Sequence, residues 1–600
     1  MTHHRHASRA ADAQRFFAFG RDASGLYRFA PEDLPEGVET IGSGGVGGKA
    51  RGLIFAMDHV RHHGPLSEHQ ELVRFPDSVV VTTEAFDEFM ARNELDGVVQ
   101  AGCAGEISLV NVGERIMAGT FSERWQDALR PVLERKTSPL AVRSSSVMED
   151  NTEHSFAGIY LSEFLPNRGP LEQRLDELIA SMKRVYASTF APNARAYRKR
   201  HDLDWHNEKM AILIQDMIGS QYSHSLFYPL VGGVAFSRNY YPWSDRLQPE
   251  DGIVRLVVGT GTRAVGREYA RVFSPRLHGL RPEGSDVGTI VRFSQETVDV
   301  LDMKLGRFAK RKLNELDNPL LTRVCSIVAP DGSVREPLGS AAMLASKERF
   351  LASFARLIEG TSIMPFTQMV RQILKSLEEA LGLSVDIEFA LDFSSSEASA
   401  QQTPLFYILQ VRPLGARPEH RRIRSRNIPD DRLILRSHRV LGNGVQRKIR
   451  HIILVEPTTY RWDHAHEIAR AIGRINDGLV DQREAYILMG PGRWASSNPQ
   501  LGVPVQYNEI SGATTIVEMS TSTFAPELSY GTHFYADMVA SDVLYLPFHE
   551  GEGDLLHRAL LDRQEILYKD EYVKHYRIPH GVNVYVDGER QRGIIALRAS

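Results

Sequence analysis

A glycine-rich stretch near the N-terminus is followed by apolar residues at helical spacing. The glycines lie within residues 42–48, and Leu53, Ile54, Met57 and Val60 follow them with the periodicity of one helical face. An apolar stripe of this kind is what a helix buries against a core. The sequence therefore predicts a glycine-rich loop that opens an amphipathic helix.

Short β-branched and apolar runs further along the chain are typical of strands. The first run, within residues 75–81, precedes Thr82 and Thr83, whose hydroxyls we expect to cap the next helix. Helices are predicted over 171–185, 300–320 and 345–380, and strands over 140–143, 211–215, 233–237, 254–258, 385–390 and 405–411. Both element types occur along the chain, and the fold class that we predict is α+β.

Composition narrows the class of protein. The chain has 600 residues, of which 42% are hydrophobic and 24% charged. This length corresponds to roughly three or four domains. The formal net charge of −4 gives no general reason to expect a nucleic acid or an acidic membrane as partner. Cys103 and Cys325 are too few for a disulfide framework or a cysteine-based zinc site, so a reducing compartment fits best.

The N-terminal residues lack the apolar core of a signal peptide, and no apolar run approaches the ~20 residues that span a bilayer. We therefore expect a cytoplasmic protein without a membrane partner. His3, His4 and His6 can hold a metal, but a flexible tail over residues 1–30 is the simpler interpretation.

The glycine-rich loop has features of a phosphate site, although neither of two familiar motifs matches. A backbone without Cβ atoms can approach a phosphate closely, a helix N-terminus adds amide donors, and Lys49 adds a positive charge. The GxGxxG spacing from residue 42 lacks the βαβ unit of a dinucleotide-binding fold. A Walker A loop fails at Ser43 and Ala50. The loop alone therefore leaves a phosphate site and a surface turn as open alternatives.

Separated segments taken together resemble one known family. In chain order they cover residues 47–50, 78–86, 141–158, and the two predicted strands at 386–390 and 409–413. They are similar to the lysine loop, the strand and helix after it, the VRSS…ED…SFAG segment and the DIEWA…LQxRP ending of the nucleotide-binding domain in phosphoenolpyruvate synthase and pyruvate phosphate dikinase. One departure is Asn239, near which family members usually carry an acidic residue.

The resemblance implies an ATP-grasp-like nucleotide-binding domain of two subdomains. The expected organisation is a tail over 1–30, subdomains over 31–235 and 236–415, an arginine-rich linker over 416–432 and a C-terminal mixed α/β domain over 433–600. The arginines of the linker can touch phosphates or RNA, but a solvated connector is typical of such charge runs.

The resemblance also implies a set of ATP-binding residues. They are Gly47, Gly48, Lys49, Arg143, Ser144, Gln215, Asp386, Glu388, Gln410 and Arg412. Within this set Lys49, Arg143 and Arg412 are expected to be catalytic because they neutralise phosphate charge. Glu388 and Gln410 are expected to bind Mg²⁺.

The chemistry of these residue types agrees with the implied roles. A planar guanidinium binds phosphate oxygens in pairs, and magnesium takes oxygen ligands. Asp386 and Glu388 lie two apart on a predicted strand, and so do Gln410 and Arg412 on the next. Residues two apart face the same side of a sheet, so all four are expected to line one cleft.

Ordinary explanations for the single residues stay open. Lys49 can be a surface lysine, Arg143 can brace Asp150 in an ion pair, and Asp386 and Glu388 can lie on a solvated strand face. Asp150 can equally orient Arg143 or take part in catalysis. Only the ordered set of segments weighs against all of these explanations at once.

The family's other domains are not evident in the C-terminal part of the sequence. We find no phosphohistidine segment, and about 170 residues after the linker are too few for a barrel of ~250 residues. Residues 490–497 can form a turn that presents Arg493 and two hydroxyls to an anion, or a tight structural turn with Trp494 in the core. His533 is either an alternative phosphoacceptor or a core histidine.

We therefore predict an ATP-dependent phosphotransferase with Mg²⁺, whose acceptor is water, a small molecule or a protein histidine. The alternative is an ATP-responsive regulatory module without its own catalysis, which the missing histidine domain favours. Nucleic-acid binding through the arginines within 417–426 is a third class, which we do not expect to be the main activity.

Overall fold

A computed structural model describes most of the chain, with gaps. The residues it describes are 19–21, 26–63, 69–149, 158–222, 225–239, 243–244, 246–265, 270–282, 284–337, 347–394, 403–414, 428–438, 440, 443–496, 498–526, 543–588 and 590–598. They form two compact units. The first lies within 1–152, 156–191 and 206–416, and the second within 192–205 and 417–600.

The helices are numbered along the chain. They are α1 (Gly47–His63), α2 (Thr83–Arg92), α3 (Leu95–Ala104), α4 (Leu109–Ala118), α5 (Glu123–Arg135), α6 (Leu171–Ser188), α7 (Pro192–Arg200), α8 (Thr262–Val265), α9 (Val287–Arg292), α10 (Ala355–Ile358), α11 (Phe366–Leu381), α12 (Ala465–Asp481) and α13 (Arg558–Asp562). Among the residues that the structure describes, no helix has both the length and the apolar character needed to cross a membrane.

The strands of the first unit are β1 (Val38–Ile41), β2 (Val73–Arg74), β3 (Ser78–Val81), β4 (Leu140–Ser146), β5 (Ser162–Leu165), β6 (Met210–Asp216), β7 (Ser220–Tyr222), β8 (Leu226–Tyr228), β9 (Val231–Phe236), β10 (Ile253–Val258), β11 (Arg271–Phe273), β12 (Thr297–Asp302), β13 (Arg307–Lys312), β14 (Ser326–Val328), β15 (Val334–Arg335), β16 (Arg349–Leu351), β17 (Val385–Ser394) and β18 (Thr403–Pro413). They build four sheets, of which two carry the candidate site.

The first of these two sheets, called sheet A, has the strand order β1-β3-β6-β4-β5. Strand β1 runs parallel to β3, and the remaining pairs are antiparallel. Val79, Val80 and Val81 are all buried, as expected for a strand covered on both faces. Helices α1, α2 and α6 pack against this sheet. The arrangement brings the start of α1 next to the end of β4.

The second, called sheet B, has the order β11-β10-β9-β17-β18-β2. Helix α11 packs against this sheet, and its Val370, Ile373 and Leu377 are buried together with Ile387 and Phe389 of β17. The spacing of three and four along α11 is the pattern that makes one helical face apolar. Strands β17 and β18 are antiparallel, so the two segments predicted from the sequence lie side by side.

The predicted helix over 300–320 is wrong. Strands β12 and β13 form an antiparallel hairpin there, followed by short 3₁₀ turns. Val298 and Val300 are buried, whereas Thr297 and Asp299, which alternate with them, are half-buried, and this period of two belongs to a strand. The predicted helix over 345–380 is correct only in part, since β16 precedes α10 and α11.

The second unit contains β19 (Leu433–Ser437), β20 (Asn443–Val455), β21 (Tyr486–Pro491), β22 (Arg493–Trp494), β23 (Gly502–Val503), β24 (Ala513–Ser520), β25 (Leu544–His549), β26 (Leu555–Leu556), β27 (Glu565–Lys569), β28 (Val573–Asp587) and β29 (Arg592–Leu597). The main sheet has the order β25-β24-β21-β20-β28-β29-β19-β26, and β27 pairs with β28. Strands β20, β21, β24 and β25 are parallel, and α12 connects the first two.

Both units combine helices and sheets, so the α+β prediction is confirmed at the level of a mixed α/β protein. Residues 192–205, which fall inside the predicted 31–235 subdomain, cluster with the second unit. Helix α7 contributes there an Asn193 side-chain oxygen that accepts the Asn508 amide at 3.1 Å. The ATP-grasp subdomains and their boundaries remain a prediction.

Candidate nucleotide site

The glycine-rich loop before α1 is fastened to the start of α2. The amides of Gly44 and Gly45 donate to the hydroxyls of Thr82 and Thr83 at 3.1 and 2.9 Å. Helix α2 begins after Thr82 without a side-chain cap, so the predicted capping role is wrong. The hydroxyl oxygens of Thr82 and Thr83 accept from the loop amides instead of from the first amides of α2.

The amides on either side of these two glycines, those of Ser43 and Val46, are occupied as well. The Ser43 amide donates to the Glu84 carboxylate at 2.6 Å, and the Ser43 hydroxyl donates at 2.9 Å. The amide bond from Ser43 is the main cause that lowers the pKa of Glu84; burial opposes it, and Arg124 adds to the lowering. The Val46 amide donates to the Tyr27 carbonyl at 2.8 Å. In this structure the backbone amides of residues 43–46 therefore all donate to acceptors within the protein.

Gly47 owes its identity to packing against β4. It has a φ of +74°, and an added Cβ would lie 1.8 Å from the Ser145 carbonyl oxygen. The Ser145 hydroxyl donates to the Val46 carbonyl at 2.7 Å and accepts the Ala50 amide at 3.0 Å. Only glycine permits this approach, which fixes the first turn of α1 on the strand. A contact of Gly47 or Gly48 with a nucleotide stays a prediction.

Lys49 is held inside the protein rather than on its surface. Its ammonium Nζ lies 2.8 Å from the Ser144 hydroxyl and 2.5 Å from Oε1 of Glu149. The Lys49 side chain is 10% exposed and that of Glu149 only 1%. The sequence argument missed Glu149, although the segment that contains it was recognised. It considered Asp150 instead, which lies outside the described residues.

Arg143 joins the two sheets of the candidate site. It extends from β4 of sheet A, and its Nη2 donates to Oε2 of Glu388 at 2.7 Å and to Oε1 of Gln410 at 2.5 Å, both on sheet B. Nη1 donates to Oε1 of Gln215 at 3.4 Å. The side chains of Arg143 and Glu388 are 12% and 25% exposed, so solvent still reaches this cluster.

Glu388 and Gln410 are register partners on β17 and β18. One carboxylate oxygen and one amide oxygen therefore converge on a single point, the position of Nη2 of Arg143. Magnesium is usually bound by one or two carboxylates together with substrate phosphates and waters. In the part of the chain that the structure describes, no cluster of three or more His, Cys, Asp or Glu side chains could hold a metal. The carboxylate of Glu388 and the amide oxygen of Gln410 are donors of the kind that magnesium takes, and their role as ligands stays a prediction.

Asp386 and Arg412 form a separate ion pair next to this cluster. They are also register partners, and their side chains are 6% and 5% exposed. The Arg412 Nε lies 3.2 and 3.1 Å from the two carboxylate oxygens, and Nη2 lies 2.5 Å from Oδ2. The guanidinium is thus committed to a buried carboxylate, and a role in charge neutralisation at a phosphate stays a prediction.

The candidate residues lie in three groups. Arg143 contacts the carboxylate of Glu388 and the side-chain amide oxygens of Gln215 and Gln410. Lys49 contacts Ser144 and Glu149, and Arg412 pairs with Asp386. Strand β4 connects the first two groups, because Arg143 and Ser144 are neighbours on it. Strands β17 and β18 connect the first and third.

In the second unit the sequence left two interpretations for the turn at residues 490–497. Trp494 is fully buried, and its indole N–H donates to the Val517 carbonyl at 3.1 Å. Its amide donates to Oε1 of the buried Glu518 at 3.0 Å. Gly492 makes the turn with a φ of +62°. The core interpretation of Trp494 is confirmed, whereas His533 lies outside the described residues.

Comparison with known proteins identifies the class of domain. Residues 43–430 match the family model of the pyruvate phosphate dikinase AMP/ATP-binding domain. This match spans more than half of the chain. The protein therefore belongs to the family of the pyruvate phosphate dikinase AMP/ATP-binding domain, as its sequence segments indicated.

Individual relatives are similar over shorter stretches. The uncharacterized phosphotransferase YvkC of Bacillus subtilis is 31% identical over 174 residues, which is 28% of this chain and 18% of that protein. Phosphoenolpyruvate synthase of Escherichia coli is 26% identical over 237 residues, 35% of this chain and 27% of the enzyme. Rifampicin phosphotransferase of Streptomyces sviceus is 29% identical over 182 residues, 28% of this chain and 20% of the enzyme. The chain thus covers about a quarter or less of each relative.

Proposed function

We propose that the first unit binds Mg²⁺–ATP between sheets A and B and transfers a phosphoryl group from it. The observation that carries the proposal is the junction at Arg143, where a guanidinium from one sheet meets Glu388 and Gln410 from the other. Membership in an AMP/ATP-binding family supports ATP as the ligand.

In this proposal Arg143 changes partners when the nucleotide binds. Its guanidinium now neutralises Glu388, and a magnesium ion carries enough charge to replace it there. The released N–H groups of Arg143 then suit the phosphate oxygens, which a guanidinium binds in pairs. Phosphoryl transfer depends chiefly on positioning and charge neutralisation, and this exchange supplies both.

Lys49 and the ion pair of Arg412 complete the proposed site. Lys49 lies in the first turn of α1, and the helix N-terminus there adds a favourable field for an anion. Asp386 keeps Arg412 in place beside the metal ligands on β17 and β18. The acceptor in this proposal is water, a small molecule or a protein histidine.

Turnover of labelled ATP by the purified chain tests the proposal. Samples with ATP labelled at the β- or the γ-phosphate are followed in the wild type and in Glu388→Ala. The matched control is Glu379→Ala, which removes an exposed carboxylate of α11 paired only loosely with Lys375 at 3.9 Å. We expect Mg²⁺-dependent release or transfer of label in the wild type and in Glu379→Ala, and its loss in Glu388→Ala. Equal turnover in Glu388→Ala would contradict the site.

A further inference from the structure

The buried carboxylate of Glu149 receives donors from three directions. Lys49 Nζ lies 2.5 Å from Oε1, the Ser144 hydroxyl donates to Oε1 at 3.0 Å, and the Ser146 amide donates to Oε2 at 2.8 Å. A carboxylate this deeply buried is stable in its charged form only where such partners compensate the loss of water. Glu149 is thus tied to strand β4 by two bonds and to helix α1 by one.

The same geometry fixes the ammonium of Lys49. A lysine ammonium has three N–H donors and no acceptor. Two donors are used by Glu149 and Ser144, and the third has no partner among the residues that the structure describes. The stem of the side chain starts in the first turn of α1, which the Ala50–Ser145 bond holds against β4. The Lys49 side chain is thus held at its stem and at its ammonium, and the ammonium keeps one N–H donor for a ligand.

We infer that Glu149 is a positioning residue that orients Lys49 toward the phosphates of the bound nucleotide. The inference rests on the proposed function, because it assigns Glu149 to the same ATP site. Glu149 acts through Lys49 and does not touch the nucleotide. It limits the conformers of a long, flexible side chain, whose ordering would otherwise cost binding free energy.

A purely structural role for Glu149 makes a different prediction. Its carboxylate also accepts hydrogen bonds from Ser144 and Ser146 at the end of β4, so in a purely structural role its loss loosens the whole site. Such loosening would weaken every ligand of the site to a similar degree. Loss of Lys49 orientation instead weakens only ligands that carry phosphates. The two roles therefore separate when ATP is compared with adenosine.

Equilibrium dialysis with labelled ATP and labelled adenosine provides the test. In Glu149→Gln we expect ATP affinity to fall about tenfold or more, the size of a lost charge-assisted hydrogen bond, while adenosine affinity stays within about twofold of wild type. Glu379→Ala is the control for loss of a carboxylate elsewhere in the unit. Unchanged ATP affinity in Glu149→Gln, or an equal loss for both ligands, would overturn the inference.

The double variant Lys49→Met/Glu149→Gln covers the case in which Glu149→Gln does not fold. It replaces both members of the buried pair by neutral side chains, which proteins often tolerate. If Glu149 acts through Lys49, the double variant binds ATP as well as Lys49→Met alone. A further loss in the double variant would overturn the inference. Absence of ATP binding by the wild type is a different outcome, since it refutes the proposed function itself.

Discussion

The buried pair of Asp386 and Arg412 allows stability and function to be tested separately. Asp386→Asn removes the negative charge but keeps the size of the side chain. Arg412 then remains buried with three N···O contacts, of 3.2, 3.1 and 2.5 Å in the wild type, that no longer end on a carboxylate. Glu388→Gln is the comparison on the same strand, because its partner Arg143 is reached by solvent.

The expected magnitudes differ by more than the error of an unfolding experiment. Breaking one side of a buried ion pair costs about 3–5 kcal/mol of unfolding free energy, because an uncompensated charge stays in the interior. Glu388 is 25% exposed, and a glutamine there still offers Arg143 an acceptor oxygen. We therefore expect Glu388→Gln to cost no more than about 2 kcal/mol, close to the value of one hydrogen bond to a charged group.

Urea unfolding followed by circular dichroism measures both free energies. The double variant Asp386→Leu/Arg412→Met serves as control, since replacing a whole buried pair by apolar residues is often neutral. We expect it to recover most of the stability that Asp386→Asn loses. Stability of Asp386→Asn within about 1 kcal/mol of wild type would refute the reasoning, because the pair would then contribute little to the fold. Turnover of the double variant further tests whether Arg412 acts on phosphate.

Three other outcomes follow from the structure. Mg²⁺ alone should give no binding heat, because Arg143 occupies the oxygens of Glu388 and Gln410 that the ion needs. Mg²⁺ together with a non-hydrolysable ATP analogue should bind, and tight binding of free Mg²⁺ would contradict this. Gly47→Ala should abolish ATP binding, since the new Cβ would lie 1.8 Å from the Ser145 carbonyl oxygen. Gly97→Ala in α3, where an added Cβ meets nothing within 4 Å, should leave ATP binding intact. ATP binding by Gly47→Ala would contradict the packing argument. Burial and the neighbouring His451 lower the pKa of His575 from 6.5 to about 4, so as pH falls the unfolded chain takes up this proton before the folded chain does. The second unit should therefore lose stability as pH falls from 6.5 toward 4. Unfolding midpoints of His575→Gln that depend on pH as fully as those of wild type would contradict this.

The part of the site predicted from sequence is the part set by strand periodicity and family segments. Asp386 and Glu388 share a face because they are two apart, and their partners Arg412 and Gln410 follow from the antiparallel pairing. The contact between Arg143 and Glu388 bridges 245 positions of sequence. No local pattern predicts such a contact, and only the resemblance placed the two residues in one site.

The features that sequence reasoning missed depend on tertiary contacts. Glu149 binds Lys49 across 100 positions, and nothing in its neighbourhood distinguishes it from the adjacent Asp150. The threonines at the start of α2 have good capping chemistry, but the glycine-rich loop supplies stronger competition for their oxygens. In the 300–320 range, the mixture of polar and apolar residues is compatible with a helical period. The pairing of β12 with β13 nevertheless makes this segment a pair of strands.

Calorimetric titration of the whole chain with Mg²⁺–ATP tests the central claim most directly. The account predicts saturable binding of one nucleotide per chain in the wild type and its loss in Glu388→Ala, with Glu379→Ala unchanged. Wild-type protein that takes up no nucleotide at millimolar concentration, or Glu388→Ala that binds as tightly as wild type, would contradict it.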